Sequence, residues 1–427
     1  MNLILSVLVS VLSFGAVGDG ATDNTEAINR AIAHCALQGG GTVSVPQGVF
    51  VTGTVYLKSH VMLRLEAGAT LKGTQQLDAY QPLRTTRNLS AYESGQGTVN
   101  YNSATDPEWS RAMILGIDVH HSGIEGEGCI DGNDVRNPKG EESMRGPHTV
   151  LLAGCSNLRF QDFKVVRSAN YAFLAYLIDN TVFKNLHITG GWDGIHIRGS
   201  KRTRIQDCVM HTGDDAIAGG YWEKMTISHC TLNSSCNGIR MIMPSQHVLV
   251  SDCHIYGPGT EKHITSGKTS SDAAINLEPG AWGKAPGRID DFVIRRVKAE
   301  RVLTPLSVTL GDDNSAGKIL VEDLVARGIT RMALSVKTWG SAPTDKVVIR
   351  RADLQFTGID DPQLPAWFKD KSFSQWPVFP SWGMFFRHVR QLVLDDVRIS
   401  YTGKDYREPI ILDQVTRHKG LNKVQIN

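Results

Sequence analysis

The stretch HTGDDAIAGG, from His211 to Gly220, sets two carboxylates side by side, Asp214 and Asp215, between a glycine and a short apolar run. A third acid, Asp193, precedes a similar run in GWDGIHIRGS, and Asn237 precedes GIRM; the steps from 193 to 215 and from 215 to 237 are both 22 residues. Neighbouring carboxylates cannot all ionise at low cost, so such a group tends to divide into a protonated and an ionised member. One carboxylic acid beside one carboxylate is what cleavage of a glycosidic bond requires. A single Asp before a strand reads more simply as a turn residue bonding its own backbone. Recurrence at one spacing shifts the reading towards chemistry.

A second set follows the strands: Arg198, Tyr221 with Trp222 and Glu223, Glu278, Asp312 with Asp313, and Lys337 with Trp339. Rings beside charged groups suit sugars, whose C–H faces stack on aromatics while hydroxyls and carboxylates take hydrogen bonds. Taken singly, each would also pass for a solvated loop residue. Arg240, which follows Gly238 and Ile239, is placed to pair with a sugar carboxylate.

The elements that must position these residues form a repeat. Apolar-alternating runs recur as NLRFQDF at Asn157, TVFKNLH at Thr181, TRIQDCV at Thr203, MTISHCT at Met225 and HVLVSDCH at His247, each reading as a strand. One equivalent position in each, Phe163, Leu186, Cys208, Cys230 and Cys253, gives steps of 23, 22, 22 and 23 residues. Runs at Phe292, Ile319, Val347 and Leu392 continue the pattern with longer inserts. A period in the low twenties means a solenoid whose units bury their apolar face by stacking. The leucine-and-asparagine consensus of leucine-rich repeats is missing, and the units carry β-branched strands with Gly, Asn and Asp turns. An all-β parallel β-helix is therefore expected, with residues one period apart lying about 4.8 Å from each other on adjacent coils. That spacing places Asp193, Asp214, Asp215 and Asn237 in one column. Cys208, Cys230 and Cys253 are expected to stack inward as small apolar side chains. One helix is expected near the start, where the run from Thr22 to Glu26 offers N-cap residues before Ala27, Ile28, Ala31, Ile32 and Cys35, and it would cap the open end.

At 427 residues the chain exceeds the ~250–300 at which one compact core stops growing, so several domains or an elongated repeat is required. Its 42 glycines are spread throughout and no linker divides it, which favours one continuous domain over residues 1–427. Lys+Arg 45 against Asp+Glu 43, with no basic block, excludes nucleic acid as an expected partner. Seven cysteines without a CxxC pair argue against a disulfide framework and a zinc site, and no cofactor or metal is expected. Residues 1–13 fit either a signal remnant or a first strand. Nothing else approaches the ~20 apolar residues of a membrane span. A secreted or periplasmic monomer is expected.

Several stretches resemble glycoside hydrolase family 28, the polygalacturonases and rhamnogalacturonan hydrolases: FGAVGDGATDNTEAINRAI at Phe14, GIEGEGCIDGND at Gly123, MRGPHTVLLAGCSNLRFQDF at Met144, GWDGIHI at Gly191 and GDDAIA at Gly213. The resemblance implies a right-handed β-helix and inverting hydrolysis of pectin-like substrates. It implies Asp193 and Asp215 as the water-activating pair and Asp214 as the general acid. Trp192, Trp222, Asn237, Arg240, Glu278 and Lys337 are the expected substrate-binding residues. Gly191 and Trp192 stand where the family has Asn-Thr, Ser235-Cys236-Asn237-Gly238 stands where the family has Gly-His-Gly one coil after the acid pair, and the family's Arg-Ile-Lys motif lacks its Lys. These departures point to an altered sugar or linkage, or to action on chain ends. The insert from Tyr101 to Trp109 leans the same way, since loops that close a groove favour exo action.

Two other classes fit the same fold. A polysaccharide lyase needs a basic residue and commonly Ca2+, for which Asp312-Asp313-Asn314 could serve, yet no base lies within the acid column. A non-catalytic carbohydrate-binding or structural β-helix would account for the missing family His, and would bind sugar without turning it over.

Overall fold

The computed structural model describes residues 7–95, 102–368 and 378–427, which leaves Tyr101 of the expected insert and residues 1–6 outside the described residues. Contacts divide the chain into two compact units: residues 1–214 with 264–266, and residues 215–263 with 267–427. Each is a stack of parallel coils of a right-handed β-helix. The right hand is that of nearly every parallel β-crossover.

In the first unit, three rows of inward side chains run from coil to coil in strict register. Val43, Leu63, Ile124, Phe160, Phe183 and Ile205 form one row. Phe50, Leu71, Ile130, Val165, Ile188 and Met210 form the second. Val55, Ile114, Val150, Phe173 and Ile195 form the third. All are buried. Because side chains alternate across a strand, a one-residue slip would turn a whole row outward, so burial fixes the register. Each such side chain contributes roughly 1.5–3 kcal/mol by burial. The second unit repeats the scheme, with Ile227, Val250, Ile294, Val321, Ile349 and Leu394 aligned and buried.

The expected strands are present at every quoted run. Phe163, Leu186, Cys208, Cys230 and Cys253 are all buried, and all seven cysteines are free thiols. The helix spans Thr25–Leu37 and buries Ala27, Ile28, Ala31, Ile32 and Cys35 against strands of the first coils. Its entry differs in detail from a simple cap. Asn24, at the N-cap, turns its side chain to the Val17 N–H at 2.6 Å, while Asp23 accepts from the Thr25 N–H at 2.9 Å.

The turns explain many of the polar residues. Asn157 and Asn180 both adopt left-handed backbone, and the Asn180 Nδ2 donates to the Asn157 Oδ1 of the preceding coil at 2.6 Å. Asn tolerates this conformation better than other L-residues, and stacked amides satisfy one another.

One face of the first unit departs from the bare repeat. Leu115, Leu151 and Leu174 continue in register into His196, and Ile117, Ala153 and Tyr176 continue into Arg198. Both rows point away from the barrel interior. Leu83, Leu89, Ala104 and Trp109 cover them, forming a second apolar core outside the coils. His196 and Arg198 stand where this outer core gives way to polar groups.

Candidate active site

Asp193 and Asp214 lie on adjacent turns of the first unit. The Asp214 N–H donates to the Trp192 carbonyl at 3.2 Å, and the Asp193 carbonyl accepts from Ala172 at 2.9 Å. Oxygens of the two carboxylates come within 4.8 Å of each other. Asp193 is buried at 3% exposure, and its Oδ2 meets the Nδ1 of His196 at 2.6 Å. The other ring nitrogen, Nε2, accepts from the Arg198 Nε–H at 2.9 Å. A guanidinium can only donate, so Nε2 carries no proton and the hydrogen sits on Nδ1, directed at Asp193. His196 is thereby held as one neutral tautomer with Asp193 as its acceptor.

Arg198 is itself fixed from the covering segment. Its Nη1 donates to the Tyr92 carbonyl and its Nη2 to the Asn102 Oδ1, both at 3.0 Å. The ring of Tyr171 stacks on His196, with centroids 4.8 Å apart and planes inclined by 2°. Burial raises the Tyr171 hydroxyl well above its ordinary range, so it remains a donor.

Arg145 closes the other side. Its Nε lies 3.0 Å from Glu142 and 3.6 Å from Glu141, and its Nη2 lies 3.6 Å from Asp214. Its guanidinium carbon sits 4.9 Å from the Trp192 ring centroid and 5.8 Å from that of Tyr171. Burial works against its charge, but Glu141, Asp214 and Glu142 together raise its pKa, so it stays a cation. Burial raises the Glu141 carboxyl, whereas Glu142 is held low against burial by Arg145, Thr265 and Trp192. The Arg145 Nη1 is buried and has no hydrogen-bond partner among the described residues. A cavity of about 240 Å³ opens beside Trp192, lined by Asp134, Arg136, Met144 and Ile264.

The second unit gathers a different set. The Asp215 Oδ1 accepts from the Asn237 N–H at 3.0 Å and from its Nδ2 at 2.7 Å, and Arg240 approaches its Oδ2 at 3.5 Å. Arg240 also donates from Nε to Glu278 at 2.8 Å, and the Trp282 ring lies 5.1 Å from its guanidinium carbon. Lys337 is nearly buried, bonding the Ser307 and Ser335 hydroxyls at 3.1 Å each, with the Phe379 ring 4.9 Å away. Burial lowers its pKa to about 7 against the pull of Glu278.

The expected residues are thus distributed. Asp193 and Asp214 lie close together in the first unit, and Trp192, beside them in the chain, lines the cavity. Asp215, Asn237, Arg240 and Glu278 form a connected group in the second, and Lys337 stands on a later coil of that face. Trp222 lies within the core at 1% exposure. The sequence reading passed over Glu141, Glu142, Arg145, Tyr171 and His196. Of these, His196 was within reach: it follows Asp193 by three residues in the quoted motif, and Arg198 follows by five.

The fold is that of a pectate-lyase-like β-helix protein. The family described as rhamnogalacturonase A/epimerase, pectate lyase-like, matches residues 8–240. The chain belongs to that family, and the likeness to glycoside hydrolase family 28 read from its motifs holds. An exo-poly-alpha-D-galacturonosidase of Dickeya chrysanthemi is 26% identical over 250 residues, covering 49% of this chain and 41% of that one. The chain spans about half the length of the curated relatives it matches. A family 28 exopolygalacturonase of Yersinia enterocolitica matches 99% of this chain and 78% of its own at TM-score 0.58 and 16% identity. The Streptococcus pneumoniae surface adhesin PfbA matches 95% of each chain at TM-score 0.57 and 15% identity. At these identities the structural likeness concerns the fold.

Proposed function

We propose that the chain hydrolyses glycosidic bonds in pectin-like polysaccharides or oligosaccharides containing galacturonic acid or rhamnose. Asp193 activates water and Asp214 protonates the leaving oxygen; Asp215, its neighbour in the chain, is the second basic carboxylate. The observation that carries this reading is the Arg198, His196, Asp193 relay. A carboxylate kept as a hydrogen-bond acceptor by a neutral imidazole of fixed tautomer is a base ready to take a proton from water. Arg145 is shared among three carboxylates and keeps a cation against the Trp192 ring, which suits a substrate that carries carboxylates. Trp192 supplies an aromatic wall for the sugar face.

The short carboxylate gap resembles that of retaining enzymes, about 5–5.5 Å, rather than the ~6.5–9.5 Å common among inverting ones. We infer inversion nonetheless, because the motif resemblance implies it and Asp193 is engaged through Oδ2 by His196. Proton NMR of the first anomer released tests that inference. Exo action is the finer reading, supported by the covering segments beside Arg198 and by the name of the Dickeya relative. A polymeric substrate, too large to enter a cell, supports a secreted or periplasmic enzyme, and coils that bury their core within one chain support a monomer. No helix among the described residues is long and apolar enough to cross a membrane.

Product analysis by mass spectrometry in 18O-water, on a panel of pectic substrates, tests the whole reading. A saturated, labelled product that falls at least about 10³-fold in Asp214→Asn is expected. An unsaturated, ultraviolet-absorbing product would make the protein a lyase. Binding of pectic oligosaccharides without turnover would make it a carbohydrate-binding β-helix.

A further inference from the structure

On the flank of the first unit, far in sequence from the acids, three exposed histidines converge. His60 lies in a turn between coils, and His120 and His121 open the strand His120–Glu125. The pairing of Gly123 with Met62 sets His121 directly over His60. Hydrogen bonds hold this register: the His60 N–H donates to the His120 carbonyl at 3.1 Å, and the Ser59 hydroxyl accepts from the His120 N–H at 3.1 Å.

The three rings lie close together on the surface. His60 and His121 stack with centroids 5.3 Å apart at 7°, and His120 meets His60 edge-on at 4.7 Å. One nitrogen from each ring lies within 4.8 Å of the others, and the two Nδ1 atoms of His120 and His121 are 3.2 Å apart. Zinc binds imidazole nitrogen at about 2.0–2.1 Å in a tetrahedron, whose edge is therefore about 3.3 Å. The His120–His121 pair already spans such an edge. A shared ion requires His60 and His121 to turn out of their parallel stack so that a nitrogen of each faces it.

The turn column offers a contrast that marks these residues. His60 and His121 have φ of 64° and 53°, and the register carries the column on to Asn157 and Asn180, at 54° and 44°. Asn fills this left-handed position with a self-satisfying amide ladder. The two coils before it place imidazoles there instead and add a third alongside.

We propose that His60, His120 and His121 form a binding site for a divalent transition ion of the zinc type, with a fourth position open to water. Imidazole ligands favour Zn2+, Ni2+ or Cu2+ over Mg2+ and Ca2+. The ion would join two coils separated by 61 residues of chain and so brace the first coils of the unit.

The test uses the full chain, free of any histidine tag and stripped by chelator, titrated with Zn2+ by calorimetry and followed by thermal unfolding. One equivalent is expected to bind and to raise Tm with zinc concentration, while Mg2+ does neither. His60→Asn and His121→Asn retain a residue suited to the left-handed turn. In each, zinc affinity is expected to fall at least about 30-fold and the Tm shift to vanish. Absence of stoichiometric zinc in the wild type overturns the site. So does binding that both Asn variants retain, which would place the ion elsewhere, including the Asp193 and Asp214 pair.

Discussion

The pocket around Asp193 and the polar face around Asp215 grow from the same repeat, yet they are organised differently. In the second unit, Asp215, Asn237, Arg240 and Glu278 meet because successive coils bring one period of sequence into register. In the first, register brings Asp193 and His196 to the surface, but segments outside the coils complete the site. Tyr92 and Asn102 orient Arg198, and Glu141, Glu142 and Arg145 close over Asp214. The repeat therefore supplies a row of polar groups, and the inserts turn part of that row into a buried, directional one. Burial is what raises the stakes, since an ion pair or hydrogen bond counts for more away from water.

The largest expected effect breaks the comparison at His196. His196→Phe keeps the stacking on Tyr171 but removes the donor to Asp193, and kcat on a pectic oligosaccharide is expected to fall about 10²-fold with KM little changed. His196→Asn restores an N–H near the Nδ1 position and is expected to recover much of that loss. If both variants lose activity equally while Tm is unchanged, the relay has no directional role. If both fall only in proportion to lost stability, His196 is a packing residue.

A second test addresses Lys337, the buried cation of the other face. Its folded pKa of about 7 lies below the ordinary 10.5, so the unfolded chain binds the extra proton between those values. Stability must then rise with pH across that window, and this contribution is fully lost below pH 7. Lys337→Met removes the titrating group. The wild type is expected to gain about 2–3 kcal/mol relative to Lys337→Met between pH 7 and 9.5, read from urea unfolding at both values. A constant difference would show that Lys337 stays charged in the folded state across that window.

The smallest effect sharpens the contrast between enclosed and open sites. Trp282 stacks over Arg240 at 36% exposure. Such an exposed cation–π contact is worth about 0.5–1 kcal/mol. Trp282→Ala is expected to raise KM about 2–5-fold and leave kcat unchanged. A fall in kcat instead would place Arg240 in the reacting geometry rather than at its edge.

Much of the fold was legible because a solenoid writes its architecture into a period. Phe163, Leu186, Cys208, Cys230 and Cys253 are buried where the 22–23-residue step placed them, and the helix buries the five residues its spacing named. The same step singled out Asp215 and Asn237, which meet in the structure, and drew Asp193 and Asp214 to notice. Glu141, Glu142 and Arg145 were not, because they lie in an irregular segment whose place over the coils no period encodes. The same limit hid the histidine cluster: a 61-residue step between His60 and His121 contains a long insert, so their register emerges only once the strands pair.

By itself, then, the sequence determined the class of fold, the inward residues, and which acids recur one period apart along the chain, because alternation and period are local and additive. Tertiary structure alone decided which polar groups were buried, that Trp222 faces the core, which tautomer Arg198 imposes on His196, and which segments close the pocket. Those properties depend on the exclusion of water and on contacts between residues as far apart as Tyr92 and Arg198, and no window of sequence contains both partners.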